Sequence, residues 1–216
     1  MITEAFFRRH AHAHGGNREL TLIDVAQEYV LEHLRRENLF AEALVFKGGT
    51  ALRKFFFGQD GRLSLDLDFG NRTQDDWTDI VLDVLDGAEL FDVSIHVDRR
   101  RGPHAQLRID TPLGAVTEPI AVSIRHDQAW LPTPEVEPQP FEFLDRGLQP
   151  EFKRSKLPIL DPREIGAEKI AAFTRRRHAR DLYDLDQLLA SRRGLSSSEE
   201  ILNMAGLKIY FDVVDE

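Results

Sequence analysis

Asp66 and Asp68 stand one residue apart in Leu63-Ser-Leu-Asp-Leu-Asp-Phe69. In an extended strand, side chains two residues apart point to the same face. Read as a strand over 63–69, the segment puts Leu63, Leu65, Leu67 and Phe69 on one face. Ser64, Asp66 and Asp68 share the other. Aspartate is disfavoured in strands, so two of them on one face need a reason. Side-by-side carboxylates repel unless a cation sits between them, and hard oxygen ligands suit Mg²⁺. Upstream, Gly48 and Gly49 let backbone approach a ligand closely, and Thr50 can open a helix whose N-terminus attracts phosphate. Lys47 and Ser64 flank these groups and join Gly48, Gly49 and Thr50 as nucleotide-contacting candidates. Each motif alone is common. In the order strand, turn, helix, strand, a phosphate cradle beside metal-binding carboxylates points to nucleotide chemistry.

A second constellation lies at Glu168-Lys169 and, further on, Arg175-Arg-Arg-His-Ala-Arg180-Asp181-Leu-Tyr-Asp184. Lys169 sits beside the apolar stripe of its helix. Asp181 and Asp184 are three apart and therefore helix neighbours, and Arg180 is placed to pair with either. Such a set can neutralise triphosphate charge, or it can simply pin two helices together. The residues alone admit both.

The elements that must position these groups are readable from periodicity. Leu20 to Arg36 has a helical apolar stripe, with Thr21 and Asp24 resembling a start signal. Leu44 to Phe46 is a short buried strand, and Thr50 to Phe56 a short helix. Gln74 to Leu85 is expected to be helical, with Trp77, Ile80, Val81 and Val84 inward. Phe91 to Val97, Ala105 to Ile109 and Ile120 to Ile124 are expected strands, the first with Phe91, Val93, Ile95 and Val97 on one side. Seven of the ten prolines fall within residues 131–162, which suggests an extended connection. Asp161 caps and Pro162 begins a helix running to about Arg177. A second helix spans Asp181 to Ala190, with Leu182, Leu185, Leu188 and Leu189 inward. Ser196 opens a last helix. Mixed α and β followed by α gives an α+β, bilobed fold: residues 1–130, a Pro-rich connection at 131–160, and a helical lobe at 161–216 that completes the site.

The 216 residues carry a net charge of −9 and no cysteine. Disulfides, zinc–thiolate sites and thiol nucleophiles are excluded. Global charge argues against non-specific nucleic-acid binding but leaves room for a local basic site. Of three clusters, Arg99-Arg100-Arg101 and Arg192-Arg193 read as solvated faces, while the arginines at 175–180 adjoin the second constellation. No apolar run reaches the roughly 18–20 residues needed to span a membrane. The N-terminus lacks a secretory pattern, so a cytoplasmic protein is expected.

Taken together, Lys47-Gly-Gly-Thr-Ala-Leu, Ser64-Leu-Asp66-Leu-Asp68-Phe and the segment from Glu168-Lys169 to Asp184 resemble the AbiEii/MenT-type nucleotidyltransferase toxins. These belong to the DNA polymerase β-like nucleotidyltransferase superfamily, and the matching span covers residues 44–190. The resemblance implies a polymerase β-like N-terminal lobe with a mixed sheet. It implies a cognate AbiEi- or MenA-type antitoxin, and Mg²⁺-dependent transfer of a nucleotide from an NTP to a tRNA 3′ end, which blocks translation. By motif, Gly48, Gly49 and Thr50 contact the triphosphate and Asp66 and Asp68 hold the metal. Lys169 matches the essential lysine and Asp181 the later aspartate; Asp184 is a further candidate. Many superfamily members add a third carboxylate on a later strand, where this chain has Ser123, with Asp110 as a possible substitute. Nucleotidylation or phosphorylation of a protein, or a non-catalytic binding module, are the competing readings.

Overall fold

A computed structural model of the chain describes residues 4, 5, 7, 8, 16–139, 156–190 and 198–214. In chain order, helix α1 spans Arg18–Arg36 and α2 Leu39–Glu42, followed by strand β1 at Leu44–Lys47. Helix α3 begins at Gly48–Ala51 and widens into a π-helical segment at Leu52–Phe57. Strand β2 is Leu67–Asn71, α4 is Thr78–Leu85, β3 is Ala88–Leu90 and β4 is Val93–Arg101. Strands β5 (His104–Thr111), β6 (Gly114–Ala115) and β7 (Ile120–Gln128) follow, then the short pair β8 (Glu135–Val136) and β9 (Leu157–Pro158). Helices α5 (Pro162–Arg176), α6 (Ala179–Ala190) and α7 (Ser198–Val214) close the chain.

The main sheet runs β1-β2-β7-β5-β4-β3, with β6 against β5. β2 and β7 are parallel and the other pairs antiparallel, so the sheet is mixed and the fold α+β. One face is apolar. Phe46 and Phe69 stack across β1 and β2 at 5.4 Å between ring centroids, and Phe55 meets Phe46 edge-on at 5.9 Å. Helix α1 covers this core with Val25, Tyr29, Val30 and Leu34, all buried. Helices α5 and α7 build a smaller apolar cluster from Ala167, Ile201, Met204 and Ala205.

Several elements differ from the sequence expectation. The strand expected over 63–69 begins only at Leu67, and Leu65 is 41% exposed. Alternation across 63–66 reflects a strap leading into the strand. α1 starts at Arg18 under an Asn17 cap, whose side chain accepts from the Leu20 N–H at 3.0 Å. Asp24, read as part of a start signal, is instead buried and paired with Arg53 and Lys54. α3 starts at Gly48, two residues before Thr50. α4 starts at Thr78 rather than Gln74, and Ile80 points outward. Phe91 takes a left-handed turn conformation (φ 58°) between β3 and β4, is exposed, and carries the Arg36 guanidinium on its ring. On α6 the buried residues are Asp181, Asp184 and Leu188, so Leu182 and Leu189 are exposed. The Pro-rich stretch docks at both ends. β8 pairs with β9, the Leu160 N–H donates to the Phe46 carbonyl at 3.0 Å, and Leu157, Ile159 and Leu160 are buried. Residues 140–155 of that stretch, Arg192-Arg193, and the expected helix start at Ser196 lie outside the described residues.

The Asp24 cluster makes a stability test. Its carboxylate is fully buried against Arg53 and Lys54, themselves 3% and 1% exposed. Removing it takes a shared carboxylate from two buried cations and leaves Lys54 with Glu28, so Asp24→Ala should destabilise by about 3 kcal/mol in urea denaturation. Asp79→Ala, which breaks the exposed contact to Arg100, should cost under about 1 kcal/mol. Equal losses in the two variants would show that the buried cluster contributes no more than a surface pair.

Candidate active site

The sheet's second face is polar, and its register builds the site. Lys47 on β1 pairs with Asp68 on β2, and Asp68 pairs with Ser123 on β7. Ser123 pairs with His104 on β5, and His104 with Arg101 on β4. Directly paired residues share a face. One row of five side chains therefore crosses five strands. The next row on that face is Arg99, Gln106 and Ala121. Asp66, just upstream of β2, lines the same cleft.

Two arms open from this row and share Asp68, Ser123, Arg125 and Arg176. The larger, about 950 Å³, is lined by Lys47, Gly48, Glu168, Lys169 and Arg175, and by Trp130, Lys208 and Phe211. The smaller, about 570 Å³, is lined by Asp66, Arg99, Arg101, His104 and Gln106.

Gly48 has φ +79°, and a Cβ there would lie 2.3 Å from the Asp68 carboxylate. The turn is glycine because Asp68 needs that space. A Cβ on Gly49 would meet the Arg62 guanidinium at 2.7 Å and the Ser64 hydroxyl at 3.0 Å. Thr50 donates its hydroxyl to the Asp66 carbonyl, and Gln27 donates to the Ser64 carbonyl at 3.0 Å. The structure thus brings Lys47, Gly48, Asp66, Asp68 and Lys169 to the cleft wall. Gly49, Thr50, Ser64 and Asp181 stand behind it, holding the wall in place.

The helical lobe contributes paired charges. Lys169 on α5 reaches Asp184 at 3.0 Å and Asp181 at 3.4 Å. Arg176 holds both oxygens of Asp181, at 2.9 and 2.8 Å. Arg62, from the strap before β2, holds both oxygens of Asp184, at 2.8 and 2.7 Å. Lys47 meets Glu168 at 2.8 Å. Arg180 pairs with neither Asp181 nor Asp184 across the helix, but approaches Asp66 at 3.6 Å. Its neighbours Asp181 and Asp184 face inward to Lys169, Arg176 and Arg62, which leaves Arg180 on the cleft side. Asp110 is not at the site. It lies six residues along β5 from His104, roughly 20 Å at strand rise, and pairs with Ser94 and Ala115.

A nucleotidyl transferase AbiEii toxin model, of the type IV toxin–antitoxin system, matches residues 29–211. The chain belongs to the AbiEii nucleotidyltransferase toxin family. It is 34% identical to MenT4, a nucleotidyltransferase toxin of Mycobacterium tuberculosis. The two superpose with a TM-score of 0.87 over all of this chain and 73% of that one. JHP933 of Helicobacter pylori is 18% identical, with TM-score 0.44 over 89% of this chain and 95% of the other. An antigenic nucleotidyltransferase-like protein of Paracoccidioides brasiliensis is 16% identical, with TM-score 0.42 over 91% and 90%. No protein of curated function matches significantly in sequence. Among the described residues of this AbiEii chain, no helix is long and apolar enough to cross a membrane.

Burial pushes the Asp68 carboxyl above the usual range, against the pull of Lys47 and Lys169 and with the push of Asp66. Burial also acts on Asp181, but the Arg176 hydrogen bonds and Lys169 bring it below the usual range. On Glu168 too, desolvation pushes up, but Lys47 and Lys208 draw it below the usual range. Among the described residues the Asp68 carboxylate accepts no hydrogen bond and makes no ion pair at contact distance. A destabilised carboxylate beside a second one is what a divalent cation would relieve. No group of three or more acidic or histidine ligands occurs among the described residues. Two carboxylates fit Mg²⁺, which retains waters and takes phosphate oxygens.

Sequence reasoning treated Arg99 and Arg101 as solvated, yet both line the smaller arm. The signal available was alternation. In β4, Arg100 faces the opposite side, toward Asp79 and Asp83 on α4. Trp130, Lys208 and Phe211 carried no motif at all.

The two aspartates should respond oppositely to neutralisation. Asp68 has a raised pKa, so the folded state binds its proton more tightly than the unfolded chain does. Stability therefore falls as pH rises from the ordinary carboxylate value through the folded one. Asp181 has a lowered pKa, so its contribution is full above the ordinary value and is lost as pH falls through the folded one. In chelator at pH 7, Asp68→Asn should raise Tm and Asp181→Asn should lower it. The same sign for both would contradict the electrostatic assignment.

Proposed function

We propose that this AbiEii toxin transfers a nucleotide from an NTP to the 3′ end of tRNA in the cytoplasm, blocking translation, and that a cognate AbiEi- or MenA-type antitoxin restrains it. The reading rests on one observation: Asp66, Asp68 and Lys169 face one cleft whose rim is arginine-rich. Asp66 and Asp68 would hold Mg²⁺, which when bound supplies charge neutralisation on the phosphates. Lys47 and the Gly48 backbone take the triphosphate. A terminal ribose hydroxyl of the acceptor attacks the α-phosphorus in line. The new O–P bond forms as the bond to the β-phosphate oxygen breaks, pyrophosphate leaves, and the hydroxyl proton passes to solvent or a carboxylate. Lys169 balances the charge gathering on pyrophosphate. Asp181 and Asp184 orient Lys169, and Arg62 and Arg176 orient those aspartates in turn. Arg99, Arg101 and Arg180 lie where an RNA backbone approaches the two aspartates, which makes acceptor binding salt-dependent.

Labelled NTPs with Mg²⁺ and total tRNA test this directly. Lys169→Ala should lose about 100-fold or more in label transfer. Asp66→Ala should lose at least as much while melting near wild type, because Asp66 is partly exposed. Full transfer by a folded Asp66→Ala protein would remove the aspartates from the chemistry. Label appearing on protein rather than RNA would replace the tRNA acceptor with a protein one.

A further inference from the structure

The transfer chemistry leaves part of the larger arm's wall unused. Besides Lys47, Gly48 and Lys169, that wall includes Trp130, Lys208 and Phe211. Trp130 and Phe211 are 42% and 50% exposed, and they meet edge to face at 6.1 Å. This wall is firmly built. The Trp130 N–H donates to both oxygens of Glu164, at 3.1 and 3.0 Å, and the Leu131 N–H donates to one of them at 3.0 Å. Glu164 is buried, and it also accepts from the Lys208 ammonium at 3.0 Å. That ammonium lies 4.2 Å from the Trp130 ring centroid. A single buried carboxylate on α5 thus fixes the segment after β7 and the last helix against each other. The rings it aligns stay open to the cleft.

We propose that the Trp130–Phe211 wall is the nucleobase subsite for the donor nucleotide. The inference deepens the nucleotidyl-transfer reading and rests on it. The groups suited to a triphosphate line the same arm, and a nucleotide carries its base on the same molecule. The arm's volume falls within the usual range for a ligand pocket, about 300–1,000 Å³. Exposed aromatic rings are the side chains on which bases stack without strict sequence preference. Among the described residues, the smaller arm, with Asp66, Arg99 and Arg101, is lined by no Trp, Tyr or Phe. Base recognition of the donor and backbone recognition of the acceptor are therefore separated on either side of Asp68.

The chain has two tryptophans. Trp77 packs against the main core, and its indole N–H donates to Thr73 at 3.0 Å. Trp77→Phe therefore leaves Trp130 as the reporter with the platform untouched. Each NTP with Mg²⁺, and separately inorganic tripolyphosphate, is titrated by fluorescence and by calorimetry. At least one NTP should quench Trp130. Tripolyphosphate should displace that NTP without quenching. Phe211→Leu, which keeps apolar bulk, and Trp130→Ala should weaken NTP binding roughly 10- to 100-fold while leaving tripolyphosphate within about twofold. NTP binding without quenching, together with wild-type affinity in both variants, would overturn the platform and leave the transfer reading intact. Quenching by tRNA but by no NTP would also overturn it, by giving the rings to the acceptor. Binding of neither NTP nor tripolyphosphate would remove the donor site itself, and the platform with it.

Discussion

The carboxylate of Asp68 sits where burial disfavours its charge, and much of the molecule is arranged around that fact. An uncompensated buried carboxylate is strongly destabilising, while one flanked by cations is tolerated. Lys47 arrives from the neighbouring strand in direct register, and Lys169 from a helix more than a hundred residues later. Neither touches Asp68. Each is held by a carboxylate of its own: Lys47 by Glu168, and Lys169 by Asp184 and Asp181. The field at Asp68 is therefore partly balanced, yet its oxygens stay open to the cleft. Gly48 keeps them open, because any Cβ there would collide with them.

The same pairs join the two lobes. Arg62 precedes the catalytic-candidate strand and clasps Asp184 on α6, while Lys47 on β1 clasps Glu168 on α5. Leu160 adds a backbone hydrogen bond onto β1 one residue before the Asp161 cap of α5. Helices α5 and α6 are thus placed relative to the sheet by charged and main-chain contacts around the cleft, together with Ile165 and Leu188 in the main core. Bidentate guanidinium–carboxylate pairs have directional geometry, which suits them to fixing Lys169 in position as well as adding stability.

Much of the fold was legible because apolar periodicity reports burial. β1, the core of α1, and the start of α5 at Asp161-Pro162 needed only local rules. Some of the misreadings fall where buried charged groups override periodicity. α6 turns Asp181 and Asp184 inward beside Leu188, so Leu182 and Leu189 face outward, against the amphipathic reading. Asp24 is an internal ion-pair partner that looks locally like a helix-start residue. The strap 62–66 alternates like a strand but is held by the Thr50 and Gln27 side chains instead of a ladder. The aspartates, the glycine turn and Lys169 were visible as motifs. Their cleft partners Arg99, Arg101, Trp130 and Phe211 were not, because only sheet register and the packing of α7 bring them there.

Net charge misleads for a related reason. A chain at −9 has a repulsive average field for nucleic acid, but association responds to the local potential of a cleft. Many of the acidic groups near this site are already matched at short range: Glu164 and Glu168 by lysines, Asp181 and Asp184 by arginines and Lys169. Opposite them, Arg99 and Arg101 form no ion pair among the described residues. An anion in the smaller arm faces those guanidiniums as well as Asp66, whose own charge is offset by Arg180 at 3.6 Å. The arrangement therefore leaves two complementary vacancies in an otherwise paired network. One is a carboxylate without a contacting cation at Asp68; the other is a row of guanidiniums without contacting carboxylates on β4. A metal ion carrying a phosphate would satisfy both at once, which is how a globally acidic chain can present a site suited to polyanions.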